Sequence, residues 1–168
     1  LHGIKNIFPE YWNRFNSFLP KDERKNLLLS YYKRLINIDP IINGEAAVSW
    51  ARYEANCSTL LPNASISEEF VDVQMALNLA RIEAHYFLNH LFLEEGQLLK
   101  NINNIKNIHG DIIQGRYDSI CPPESAYELA SIWPNANLQI IEKAGHSSVE
   151  APIQKALLET MAAMKKLF

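Results

Sequence analysis

Two short apolar runs, one ending at Gly115 and the other built from Leu138, Ile140 and Ile141, are the stretches of this chain that read as buried strands, and a helix-like segment separates them. That order decides the local topology. Residues 111–115 read as a strand, 123–132 as a helix, 137–142 as a second strand and 151–168 as a closing amphipathic helix. Strands joined through a helix run parallel, because a tight turn reverses direction and a crossover restores it. Parallel strands are normally buried on both faces inside larger α/β layers. The pair is therefore expected to be the last edge of a larger sheet, and self-association through the exposed edge is one way of covering it.

Everything before this region reads as helix after helix. Pro9 suits a first helical turn, and Tyr11, Trp12, Phe15, Phe18 and Leu19 follow at helical spacing. A second helix is expected over Lys21 to Ile36 and a third over Gly44 to Cys57, with Asp39-Pro40 and Asn43-Gly44 as breakers between them. A long fourth helix is expected from Ser67, where Ser67, Glu68 and Glu69 supply a cap and a negative first turn, to about Phe92. With 168 residues, 48% of them hydrophobic, the chain has enough apolar side chains for one ordinary core or two small subdomains. The predicted fold class is α/β, mostly helical, with the helices first and a βαβα portion last.

Bulk charge narrows the partners. A net charge of -3 and a pI near 6.0 argue against a nucleic-acid or anionic-membrane binder, and Lys21, Arg24, Lys25, Lys33 and Arg34 read as a solvated helix face. No apolar run approaches the ~18 residues that a membrane span requires. Cys57 and Cys121 are far apart and show no CxxC spacing, which favours a reducing, cytoplasmic setting and gives no disulfide framework. No metal or cofactor is expected. His85 and His90 are five positions apart and so occupy different faces of a helix.

Two residues lie just past the predicted strand ends. Asp118, in "GRYDSIC", follows the first strand, and His146, in "KAGHSSVE", follows the second. Both fall on the edge where open α/β sheets place reactive groups. A carboxylate that orients an imidazole is two thirds of a catalytic triad. The plainer reading is that Asp118 caps the Pro-initiated helix behind it and His146 is a turn residue. No G-x-S-x-G elbow occurs in the chain, and at Gly145-His146-Ser147 the closing glycine is replaced by Val149, so Ser147 reads as a loop hydroxyl.

Two carboxylates in the helical region also call for a reason. Glu83 is in phase with Ala76, Leu79, Ala80 and Phe87, and Glu54 with Ala47 and Trp50, so both share an apolar face. Burying a charge there is costly without a partner. Arg52 and Arg81 stand two positions away on their helices and cannot face them. Either each glutamate meets a Lys or Arg of another helix or reaches the surface of the helix bundle, or the two converge to bind a cation beside an aromatic rim of Trp50, Tyr53, Tyr86 and Phe87.

Taken together, "QGRYDSICPP", "SIWPNANLQIIEKAGHS", "LARIEAHYFLN" and the opening "FPEYWNRFNSFLP" resemble the C-terminal half of proline iminopeptidase, an α/β-hydrolase family that releases N-terminal proline from peptides. The resemblance implies a helical cap over residues 1–100 and the C-terminal part of a hydrolase core over 101–168. It implies Asp118 as triad acid and His146 as general base. Glu54 and Glu83 would recognise the substrate's free amino group, and Phe87 and Cys121 would line the proline pocket. Tyr53 stands where the family often has Trp, and Cys57 where Thr is common. The oxyanion loop and the nucleophile elbow lie upstream of the cap in that family, so the resemblance implies that these residues alone are inactive. The alternatives are another α/β-hydrolase, an esterase or epoxide hydrolase, or a non-catalytic interaction module.

Overall fold

The computed structural model describes residues 3–61 and 72–166. They form two compact units: one takes the chain up to Cys57 and the later segment ending at Glu94, and the other takes the short segment beginning at Ser58 together with everything from Glu95 onward.

The first unit is helical. A single turn, α1 (Ile4–Ile7), precedes α2 (Pro9–Phe18), in which Pro9 occupies the first turn as its missing N–H allows. The stretch expected as one helix from Lys21 is divided into a 3-10 turn, Glu23–Asn26, and α3 (Leu27–Leu35). Asn26 causes the division: it leaves helical geometry and its Oδ1 accepts the Leu29 N–H at 3.2 Å, starting a new helix. The next helix, α4 (Pro40–Ser58), begins earlier than Gly44. Pro40 opens it rather than breaking it, Asp39 Oδ1 accepts the Ile41 N–H at 2.9 Å, and the buried Asn43 donates its side-chain amide to the Asn37 carbonyl at 3.0 Å. The expected cap at Ser67 to Glu69 lies outside the described residues. There the described helix is α5 (Val73–Leu88), capped by Asp72, whose carboxylate accepts the Met75 N–H at 3.0 Å. It stops at Leu88, short of Phe92, which belongs to a separate 3-10 turn, His90–Phe92.

An aromatic stack forms the centre of this unit. The Phe15 ring lies against Tyr31 on one side (4.2 Å between centroids) and Tyr53 on the other (4.5 Å), and Trp50 meets Phe15 and Tyr31 edge-on. Tyr31 is fully buried and satisfies its hydroxyl by donating to the Phe15 carbonyl at 2.7 Å. Arg81 is in none of the described ion pairs. Its Nε donates to the Leu35 carbonyl at 2.7 Å, closing the C-terminal end of α3 against α5. Buried alanines at 46, 47, 80 and 84 provide smooth surfaces on α4 and α5. Leu79, expected on the apolar face, is instead 47% exposed with Met75, Ile82 and Tyr86.

The second unit carries the sheet. After a short helix, α6 (Gln97–Lys100), β1 (Gly110–Gly115) pairs in parallel with β2 (Ala136–Ile141) in a register running from Gly110 opposite Ala136 to Gly115 opposite Ile141. The crossover is α7 (Pro123–Ile132), and α8 (Ala151–Met164) follows β2; both helices pack on the strand pair. Because the register is unshifted, both strands finish level, and their two exit loops leave from one edge.

Candidate functional site

The exit loop of β1 places Asp118, which is 7% exposed. Its Oδ1 accepts the Ile120 N–H at 3.0 Å and the Cys121 N–H at 2.7 Å, so it holds the loop after β1 and does not cap α7, whose N-cap is Pro122 with no side-chain bond. Its Oδ2 pairs with His146 Nδ1 at 2.9 Å and also receives the Gln114 side-chain amide at 3.3 Å. One oxygen of the carboxylate thus holds the loop and the other meets the imidazole. With Nδ1 donating, Nε2 of His146 is left as an acceptor, and the imidazole is 40% exposed. Arg116, the other charged residue of "GRYD", turns away and pairs with Glu142 at 2.8 Å on the surface.

Gly115 is required by proximity to the histidine loop. A Cβ at that position would stand 1.9 Å from the Gly145 carbonyl oxygen and 2.9 Å from that of Ala144, both of them backbone atoms. Replacing Gly115 with Ala must therefore displace the loop that carries His146. The expected cost is about 3 kcal/mol, read as a lowered urea midpoint at unchanged m-value; an unaltered midpoint would contradict the close approach.

The helical unit brings Glu54 and Glu83 together. The two carboxyl groups are neighbours, and Trp50 Nε1 donates to Glu83 Oε2 at 2.9 Å. Burial pushes the Glu54 carboxyl up to about 8, the neighbouring Glu83 adds to the rise, and the indole of Trp50 opposes it. Among the described ion pairs none includes either glutamate. Phe87 is 47% exposed and stacks on Trp50 at 6.5 Å. The part sequence reasoning missed is Trp50: it counted as rim, yet its N–H holds a carboxylate. The signal available was its position four residues before Glu54, one turn along the same face.

A groove of about 620 Å³ in this unit is lined by Tyr11, Phe18, Glu45, Arg52 and Asn56 among others, on the side of α4 opposite Glu54, and neither glutamate contributes to it. Size therefore does not locate the carboxylate pair. The cysteines are not thiolates either. Burial raises Cys57 to about 12, and partial burial with the Asp118 carboxylate raises the exposed Cys121. Among the described residues no group of three or more His, Cys, Asp or Glu side chains is arranged to hold a metal ion, and no helix is long and apolar enough to cross a membrane.

Comparison with known proteins gives this geometry a context. The chain is 39% identical over 158 residues to a probable proline iminopeptidase of Leptolyngbya boryana, a match taking in 94% of this chain and 49% of that protein. The chain is related to the proline iminopeptidases. It is also 38% identical to the proline iminopeptidase of Arabidopsis thaliana, over 98% of this chain and 44% of the relative, and 38% identical to that of Xylella fastidiosa strain 9a5c, over 88% and 48%. The chain thus spans about half the length of the proline iminopeptidases it matches. No protein-family model matches it. The α/β class and the mostly helical character expected from the sequence agree with the structure and with these relatives.

Proposed function

We propose that this chain supplies the proton-transfer pair and the amine-recognition residues of a serine aminopeptidase that removes N-terminal proline from peptides. The observation that carries the reading is the pair of neighbouring carboxyls Glu54 and Glu83, with Trp50 donating to Glu83 and neither glutamate in a described ion pair. Two neighbouring carboxylates partly withdrawn from water repel unless they share a proton or receive a cation. An N-terminal proline offers a secondary ammonium with two N–H donors, one for each carboxylate. Binding would replace the shared proton with the ammonium, and Phe87 would give the pyrrolidine ring an apolar wall. The resemblance also assigns Cys121 a part in binding the substrate.

In this reading residues 1–100 serve as the recognising cap and residues 101–168 as part of the hydrolase core. His146 Nε2 would take the proton of a serine hydroxyl as it attacks the prolyl carbonyl, then deliver that proton to the leaving amine. Asp118 would hold the Nδ1–H tautomer and stabilise the imidazolium. The names of the relatives support the substrate class.

The test uses this chain alone and an enzyme reconstituted from it and the half of the Leptolyngbya boryana protein that it does not match. The chain alone, lacking any G-x-S-x-G, is expected to hydrolyse no prolyl amide. The reconstituted enzyme is expected to cleave a free prolyl amide and to spare the N-acetylated one. Equal cleavage of both would replace this reading with that of a general esterase or amidase.

A further inference from the structure

We propose that Glu150 is a positioning residue for His146, an assignment that rests on the reading of His146 and Asp118 as the hydrolytic pair. Glu150 stands at the N-cap of α8, with φ -66° and ψ 127°. Glutamate is not among the favoured residues there, and an acid in that place would ordinarily accept an N–H of its own helix. Glu150 makes no such bond. Its carboxylate turns back along the chain instead: Oε1 accepts the Gly145 N–H at 2.8 Å and Oε2 accepts the Leu60 N–H at 3.1 Å.

Those two bonds join the residue before His146 to the segment after α4. Ser58, two residues before Leu60, grips the histidine directly, because its carbonyl accepts both the His146 N–H at 2.8 Å and the Ser147 N–H at 2.9 Å. Gly145 has no spare room between them. A Cβ there would lie 2.9 Å from Leu60 N, 3.0 Å from Glu150 Oε1 and 3.1 Å from the Ser58 carbonyl oxygen. The backbone of His146 is thus clamped by the Ser58–Leu60 strip, and Glu150 is the side chain that closes the clamp.

The imidazole needs this clamp. Asp118 is buried and receives four hydrogen bonds, whereas the His146 ring is 40% exposed and its one described hydrogen bond goes to Asp118. Where the ring sits therefore depends on where its backbone sits, and a displacement of about 1 Å at a proton-transfer group is worth about a hundredfold in rate. A carboxylate accepting two backbone N–H groups forms charge-assisted bonds, the stronger kind.

The test is NMR on the isotopically labelled chain, comparing wild type with Glu150→Ala, Glu150→Gln and Asp118→Asn. In wild type the His146 Nδ1–H is expected as a slowly exchanging downfield proton, with protected amides at Gly145 and Leu60. Glu150→Ala is expected to speed exchange at both amides by about tenfold or more and to broaden or abolish the Nδ1–H signal, while the Ile112 and Gln114 amides, which face β2, keep their protection. Glu150→Gln retains one acceptor oxygen and should restore protection at one amide and part of the imidazole signal. Unchanged Gly145 and Leu60 protection together with an unchanged Nδ1–H signal in Glu150→Ala overturns the proposal. If that variant loses its fold, the same outcome in Glu150→Gln overturns it. Asp118→Asn tests the underlying pair separately: a downfield signal that survives it sinks the hydrolytic assignment, and the two amides still judge Glu150.

Discussion

Asp118→Asn is expected to lower kcat of the reconstituted enzyme about 10⁴-fold while leaving the fold intact. The magnitude follows from which way the new amide must point. The Ile120 and Cys121 N–H groups both aim at one oxygen of residue 118, at 3.0 and 2.7 Å, so the remaining carbonyl oxygen of an asparagine is held there. The NH₂ group is then directed at His146 Nδ1, where Oδ2 now accepts at 2.9 Å. Facing a donor, Nδ1 must become the acceptor and the proton moves to Nε2. An imidazole protonated at Nε2 cannot take the proton of a nucleophile. The side chain keeps its size and its turn-capping bonds, so circular dichroism and the urea midpoint should barely move. A loss of less than tenfold in kcat would show that Asp118 serves the turn and not the reaction.

Removing either half-buried glutamate is expected to act on substrate binding. Glu83→Gln and Glu54→Gln should each raise KM for a free prolyl amide by about 10 to 100-fold, the size of a lost charge-assisted hydrogen bond, with a smaller change in kcat. Discrimination against the N-acetylated amide should fall in step. Equal KM values in variant and wild type would remove the carboxylates from the binding site.

The same pair gives a pH signature that needs no activity. Glu54 has its carboxyl raised from 4.5 to about 8, so the folded chain holds that proton more tightly than the unfolded chain does. Protonation therefore stabilises: the contribution is fully present below the unfolded value and is lost as pH rises from about 4.5 through about 8. The slope from this group is at most about 1.4 kcal/mol per pH unit. Urea midpoints at pH 5, 7 and 9 should fall with pH in wild type and fall less in Glu54→Gln, which cannot ionise. Parallel pH profiles would show that Glu54 is not held protonated by its surroundings.

The strand, helix, strand, helix order was legible because hydrophobic period and turn residues are local, and a parallel pair follows from that order without further information. Asp118 and His146 were legible for the same reason, since a residue just past a strand end has a known place once the strand is known. Glu54 and Glu83 were legible as carboxylates on apolar faces. Helix starts were less so: Pro40 and Gly44 are breakers by propensity, but Pro40 falls on the first position of α4, where proline costs nothing. Leu79 shared a face with Ala76 and Ala80 by periodicity, yet it is exposed while they are buried. Periodicity states which residues share a face and not what covers it.

By itself, then, the sequence determined the α/β class, the parallel pairing and the residue types available for chemistry, because these depend on side-chain pattern within a dozen or so neighbours. Only the tertiary structure decided that Glu54 and Glu83 become neighbours with the Trp50 indole on Glu83, that Gly115 is pressed against the Gly145 carbonyl, and that Glu150 reaches Leu60 across ninety positions. Contacts of that kind depend on where the backbone returns in space, and directional bonds between distant residues leave no periodic mark along the chain.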